Sequence, residues 1–151
     1  MILDKLAELG IVMPAAVPPA FQYVPVTVHE RLAFVSGQLP RKGESLIIGK
    51  LGAEVTLEQG KEAARLCILQ ALACLNGTLG TLERIERILK LTGFVASAAG
   101  FNEQPKVIDA ASELVVNLFG DAGRHARSAV GVSELPRNVA VEIELIVALH
   151  K

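Results

Sequence analysis

Tryptophan is absent from this 151-residue chain, and Tyr23 is its single tyrosine. Cysteine is scarce too. Cys67 and Cys74 stand seven apart in one apolar segment, which is neither a disulfide framework nor a metal-ligand spacing. They read as reduced thiols in a helix core, which suits the cytoplasm. No sign of charge dominates: 15 Lys and Arg against 16 Asp and Glu leave a net charge of −1. A nucleic-acid binder needs a basic footprint, so nucleic acid is not the expected partner. Long apolar runs are missing as well. The longest candidate, Val139–Leu149, is broken by Glu142 and Glu144, so no membrane span is expected. Met1–Gly10 carries Asp4, Lys5 and Glu8, unlike the apolar stretch of a secretory leader.

What is abundant is apolar surface. Apolar residues make up 51% of the chain, and the mean hydropathy is +0.43. The length fits one domain over residues 1–151, with 1–19 as an N-terminal extension. The apolar surplus points to burial between subunits.

Periodicity gives the elements. Ile2–Leu9 reads as a short amphipathic helix stopped by Gly10, and Pro14, Pro18 and Pro19 mark an extended connector. Phe21–His29 and Leu32–Ser36 alternate as a strand pair, and Arg41–Ser45 is a polar loop. Thr56–Leu75 is the clearest helix. Thr56 and Gln59 form a capping box, Gly60, Ala64, Cys67, Ala71 and Cys74 make a stripe of small residues, and Asn76-Gly77 is the expected stop. Leu79–Arg87, with Gly80 and alternating charge, is compatible with a helical turn. Ile88–Ala96 is a strand. A second helix follows Gly100–Glu103, with Pro105 in its first turn and Gly120 to Gly123 at its end. Ser128–Val132 and Val139–Leu149 complete the chain as strands. The order β-β-α-β-α-β-β predicts an α+β fold, a single mixed sheet with both helices on one face.

The richest chemistry lies in Ala126–Leu149. Pairing Val132 with Val139 in an antiparallel hairpin would set Arg127 opposite Glu144 and Ala129 opposite Glu142, clustering one guanidinium with two carboxylates. Spacing alone also fits an exposed cross-strand ion pair, worth little. The functional reading is that Arg127 grips a ligand carboxylate with two parallel hydrogen bonds while a glutamate orients water. Elsewhere the signals are weak. His29 and His150 read as solvated, and His125, two before Arg127, as a surface or pocket-rim residue. Gly49-Lys50-Leu51-Gly52 lacks the spacing of a phosphate loop. Glu83–Arg87 reads as a solvated charged face.

Several stretches together, in order, resemble one family. Phe34-Val35-Ser36-Gly37-Gln38-Leu39-Pro40 is similar to its N-terminal Ser-Gly-Gln motif, and Phe94-Val95 to its middle strand. Ala126-Arg127-Ser128-Ala129-Val130-Gly131-Val132 through Leu135-Pro136 and Val141-Glu142-Ile143-Glu144 is similar to its C-terminal signature. The family is the Rid (YjgF-like) family, some of whose members carry endoribonuclease L-PSP or translation initiation inhibitor labels. The resemblance implies a chorismate mutase-like fold, a homotrimer with pockets between subunits, and hydrolysis of enamine and imine intermediates to 2-keto acids and ammonia. On that model Arg127 holds the carboxylate of a 2-imino acid. Glu142 positions water, helped by the backbone carbonyl of Ala129. Tyr23 closes the pocket from a neighbouring subunit, and Ser36 and Gly37 shape its wall. No metal or organic cofactor is implied. Met1–Pro19, the longer Ala98–Lys106 segment, and Ala96-Ser97 in place of an acidic residue mark a longer branch. Two other functions stand beside it: non-catalytic sensing of small carboxylates through the same Arg127 pocket, and an endoribonuclease, a label attached to some family members, against which the near-neutral charge and the lack of a histidine pair count.

Overall fold

A computed structural model describes residues 1–151. The chain forms α1 (Ile2–Glu8), β1 (Val26–His29), β2 (Leu32–Gln38), a small hairpin of β3 (Arg41–Lys42) and β4 (Ser45–Leu46), α2 (Leu57–Leu79), β5 (Ile85–Ala96), α3 (Gln104–Phe119), β6 (Ala126–Val132) and β7 (Val141–Leu149). Short 3-10 turns lie at Leu82–Arg84, Gly120–Gly123 and Pro136–Asn138. The sheet is mixed and runs β1-β2-β7-β5-β6.

Local signals account for most elements. Thr56 and Gln59 make the reciprocal capping box, at 3.2 and 2.8 Å. The small residues Gly60, Ala64, Cys67, Ala71 and Cys74 are all buried, and they let α2 lie close on the sheet. That helix does not stop at Asn76-Gly77. It runs on to Leu79, which joins the core, and ends where Gly80 takes the left-handed conformation at φ 83°. On β7, Val141, Ile143, Leu145, Val147 and Leu149 are buried against the helices. Strand β1 begins at Val26, later than the alternation from Phe21 suggests, and the expected Arg41–Ser45 loop is the β3–β4 hairpin.

The largest departure concerns β6. The expected β6–β7 hairpin does not form. Strand β6 pairs in parallel with β5, and β5 pairs antiparallel with β7, so β5 lies between them. The reason is the crossover: β5, α3 and β6 make a strand–helix–strand unit, which returns the chain parallel to where it started. Two interstrand spacings, about 10 Å, therefore separate β6 from β7.

Helices α2 and α3 cover one face of the sheet, as expected. The short α1 adds a third helix, anchored on α3 by Ile2 and Leu6 and by Lys5 Nζ donating to the Leu118 carbonyl at 3.0 Å. The other sheet face has no helix over it. It presents Leu32 and Phe34 of β2 and Val130 of β6, each at least 37% exposed. No helix is long and apolar enough to cross a membrane.

Candidate functional site

A cavity of about 380 Å³ opens where β2 parts from β7. The pairing of these strands shifts between Val35 and Gln38, so Ser36-Gly37 forms a bulge. Bulges commonly end pairing and re-aim side chains beside sites. Here the bulge exposes Gly37 beside Glu142. A Cβ at Gly37 would sit 2.9 Å from Glu142 Cδ, so glycine is what lets this carboxyl lie against the β2 backbone.

Glu142 is half-buried, and its carboxyl titrates above the ordinary range, first because burial strips water from the charged form, then because Glu144 repels a second negative charge. Gln70, on α2, is 3% exposed and its Oε1 has no hydrogen-bond partner. Tyr23, Gly37, Gln70 and Glu142 line the cavity together, as do Val17–Pro19 of the N-terminal extension and Ala20 just after it. The extension is thus a wall of the site. Ser36 is not in the lining. Its hydroxyl donates to the Val24 carbonyl at 2.8 Å, tying the Tyr23 segment to β2.

Arg127 is elsewhere. Its register partners Leu91 and Leu145 are on the helix-covered face, whereas Glu142 and its partner Phe94 are on the open face. The expected Arg127–Glu142–Glu144 cluster therefore does not exist within one chain. Arg127 Nη1 donates instead to Asp109 Oδ1 at 2.8 Å and to Ser112 Oγ at 3.2 Å, both on α3. Both bonds use Nη1, which leaves the Nε–Nη2 edge for a planar, two-pronged acceptor. Ser112 Oγ lies 2.9 Å from His125 Nε2, and His125 Nδ1 donates to the Gly123 carbonyl at 2.6 Å. In the neutral ring Nε2 then accepts the Ser112 hydroxyl proton, which leaves the serine oxygen to receive Arg127. His125 is thus a support of Arg127 rather than a solvated loop residue.

Ala129 shares the Arg127 face of β6, which is the sheet's edge strand. The Val132 carbonyl accepts from Ser97 N–H on the β5 side. Main-chain groups alternate along a strand, so those of Ala129 point out of the free edge. Two half-sites result: Tyr23, Gly37 and Glu142 in the cavity, and Arg127 and Ala129 at the edge. The sequence did not single out Gln70, Arg41, Arg137, Asp109 or Ser112. Gln70 carried a readable signal, as the one amide in the apolar run Ile68–Leu72. Cys67 and Cys74 are free, and burial raises both thiols above their ordinary range; Glu142 adds to the shift of Cys67.

Comparison with known proteins follows the same outline. Residues 4–149 match the family model described as YjgF/chorismate mutase-like, putative endoribonuclease. Protein TCP17 of Trypanosoma cruzi is 44% identical over 151 residues, covering 99% of this chain and 94% of that protein. The crystal structure of protein Atu1372 from Agrobacterium tumefaciens superposes with a TM-score of 0.92 at 42% identity, over 99% of this chain and 92% of that one. A Shewanella oneidensis structure named as a putative endoribonuclease gives 0.95 at 32% identity, over 99% of both chains. The Escherichia coli YjgF gene product gives 0.63 at 25% identity, over 90% of this chain and 94% of that one. The chain, with its α+β fold of one mixed sheet and three helices, belongs to the YjgF/chorismate mutase-like family.

Proposed function

We propose that this protein assembles as a homotrimer and hydrolyses 2-imino acids, and their enamine tautomers, to 2-keto acids and ammonia. The two half-sites are complementary: one offers a guanidinium edge for a carboxylate, the other a cavity with a carboxyl that handles protons. They lie on opposite sheet faces of one chain, so a joint site needs a second copy. The uncovered sheet face, with Leu32, Phe34 and Val130 exposed, is a suitable contact surface.

The observation that carries the reading is the Glu142 carboxyl, half-buried and raised in pKa at the wall of the cavity. A carboxyl raised toward neutrality exchanges protons more readily near pH 7 than an ordinary one. In the proposed reaction Arg127 fixes the substrate carboxylate and Glu142 takes a proton as water adds to the C=N carbon, with the Ala129 carbonyl orienting that water. The new C–O bond becomes C=O as the C–N bond breaks. Glu142 passes the first water proton to the nitrogen, then takes the hydroxyl proton as C=O forms and delivers it as well, so the nitrogen leaves as ammonia carrying both water protons. No side chain bonds covalently to substrate, so catalysis rests on placement.

The test measures ammonia release from imino acids generated in situ by an amino-acid oxidase. Wild type should accelerate it, and Arg127→Ala and Glu142→Gln should not. Mixing the two inactive variants in equal amounts by co-refolding should restore about a quarter of wild-type activity, the share of shared pockets that receive both intact residues. No acceleration by wild type across several imino acids would overturn the catalytic reading, and lack of rescue would overturn the shared pocket. Binding of 2-oxobutanoate without turnover would instead favour a carboxylate sensor.

A further inference from the structure

Three charged residues line the Glu142 cavity: Glu142 itself, Arg41 and Arg137. The reaction above uses only the first. Lys50, near the same end of the sheet, is paired with Glu134 at 2.9 Å. Arg41 and Arg137 take part in none of the chain's salt bridges. Two unpaired guanidiniums against one carboxyl leave the cavity positive, more so whenever Glu142 is protonated.

The backbone holds these residues with unusual care. Arg137 and Asn138 are consecutive non-glycine residues in the left-handed region, at φ 57° and 60°. Such conformations are disfavoured for residues with a Cβ and persist where the surroundings over-determine them. Here Gly49 N–H donates to the Asn138 carbonyl at 2.8 Å, Asn138 N–H to the Leu135 carbonyl at 3.1 Å, and Ala140 N–H to the Ile47 carbonyl at 3.0 Å. Ile48 also bridges to Val139. These bonds stitch the Arg137 turn to the segment that follows the β3–β4 hairpin, on whose first strand Arg41 stands. The two cations are therefore carried on a shared, braced support.

We propose that Arg41 and Arg137 form a second anion subsite, and that the preferred ligands are 2-imino and 2-oxo dicarboxylic acids. This rests on the proposed function: Arg127 of one copy takes the carboxylate next to the reacting carbon, and Arg41 and Arg137 of another take the carboxylate at the end of the ligand's side chain. Paired guanidiniums suit such a group because each offers a planar set of donors and neither can lose its charge. The subsite selects substrate and takes no part in bond breaking.

The test has two arms, both on the full-length protein. In the first, kcat/KM is compared for the imines made in situ from aspartate and from alanine. Wild type should favour the dicarboxylic imine by at least about tenfold, and Arg41→Gln with Arg137→Gln should bring that ratio close to one through KM. In the second, calorimetry compares succinate with butanoate, which react with nothing. Wild type should bind succinate more tightly by a similar factor, with an affinity that falls as salt rises, and the double variant should lose the difference. Turnover without dicarboxylate preference would overturn the subsite and leave the proposed function standing. Succinate preference without turnover of either imine would do the reverse. A preference that survives in the double variant would also overturn the assignment.

Discussion

Gln70→Leu tests whether the cavity is bought with stability. Gln70 is 3% exposed and Oε1 is unpaired. A buried polar group without a partner costs roughly 1–3 kcal/mol. Leucine has nearly the same volume, fits helix α2 and removes the unpaired group. The variant should therefore be more stable by about 2 kcal/mol, which for a chain of this size is roughly 4–8 °C in Tm. The assay is urea unfolding and a thermal scan at one fixed protein concentration, since self-association would shift both. The same variant should bind and turn over ligand more weakly, because the cavity loses a polar group. Unchanged or lowered stability would refute the reasoning, since it would mean that the amide is hydrogen-bonded in solution.

Three further outcomes follow from the geometry. Glu142→Gln should stabilise the fold at pH 8 and not at pH 3. The folded-state pKa is raised, so the charged carboxyl burdens the fold fully above that raised value, and the burden fades as pH falls to the ordinary carboxylate range; urea unfolding at the two pH values checks the sign. Gly37→Ala should displace the Glu142 carboxyl, which a new Cβ would approach to 2.9 Å, and so reduce turnover at least about tenfold while costing under about 1 kcal/mol, because a flexible side chain can swing away. Gly93→Ala should instead cost about 1–3 kcal/mol in urea unfolding, since its Cβ would meet Ile108 Cδ1 of α3 at 2.5 Å in a packed core.

Most of the fold was legible because its signals are local. The capping box at Thr56, the small-residue stripe of α2 and the alternation of β7 each act within a few turns or residues. The placement of β6 was not legible that way. Chain proximity favours a hairpin between Ala126–Val132 and Val141–Leu149, and only the α3 crossover, a non-local constraint, puts β5 between them. The site shows the same division. Spacing singled out Arg127 and Glu142, the family resemblance added Gly37 and Tyr23, and the structure gathers Glu142, Gly37 and Tyr23 at one cavity. Arg127 went astray because a face assignment depends on which strand is the neighbour. Asp109 and Ser112 carried no signal, being polar residues on a helix surface until α3 is laid beside β6.

The wall formed by Val17, Pro18, Pro19 and Ala20 has a consequence for how such a protein changes over time. Pro18, Pro19 and Ala20 belong to no helix or strand, and Val17–Ala20 lie outside the hydrophobic core. Substitutions or length changes there can reshape the cavity without disturbing the sheet that positions Glu142. Ligand choice can therefore drift in this leader while the reactive geometry stays under the separate discipline of core packing, and exchanging residues 14–20 between relatives is a direct way to retarget the pocket.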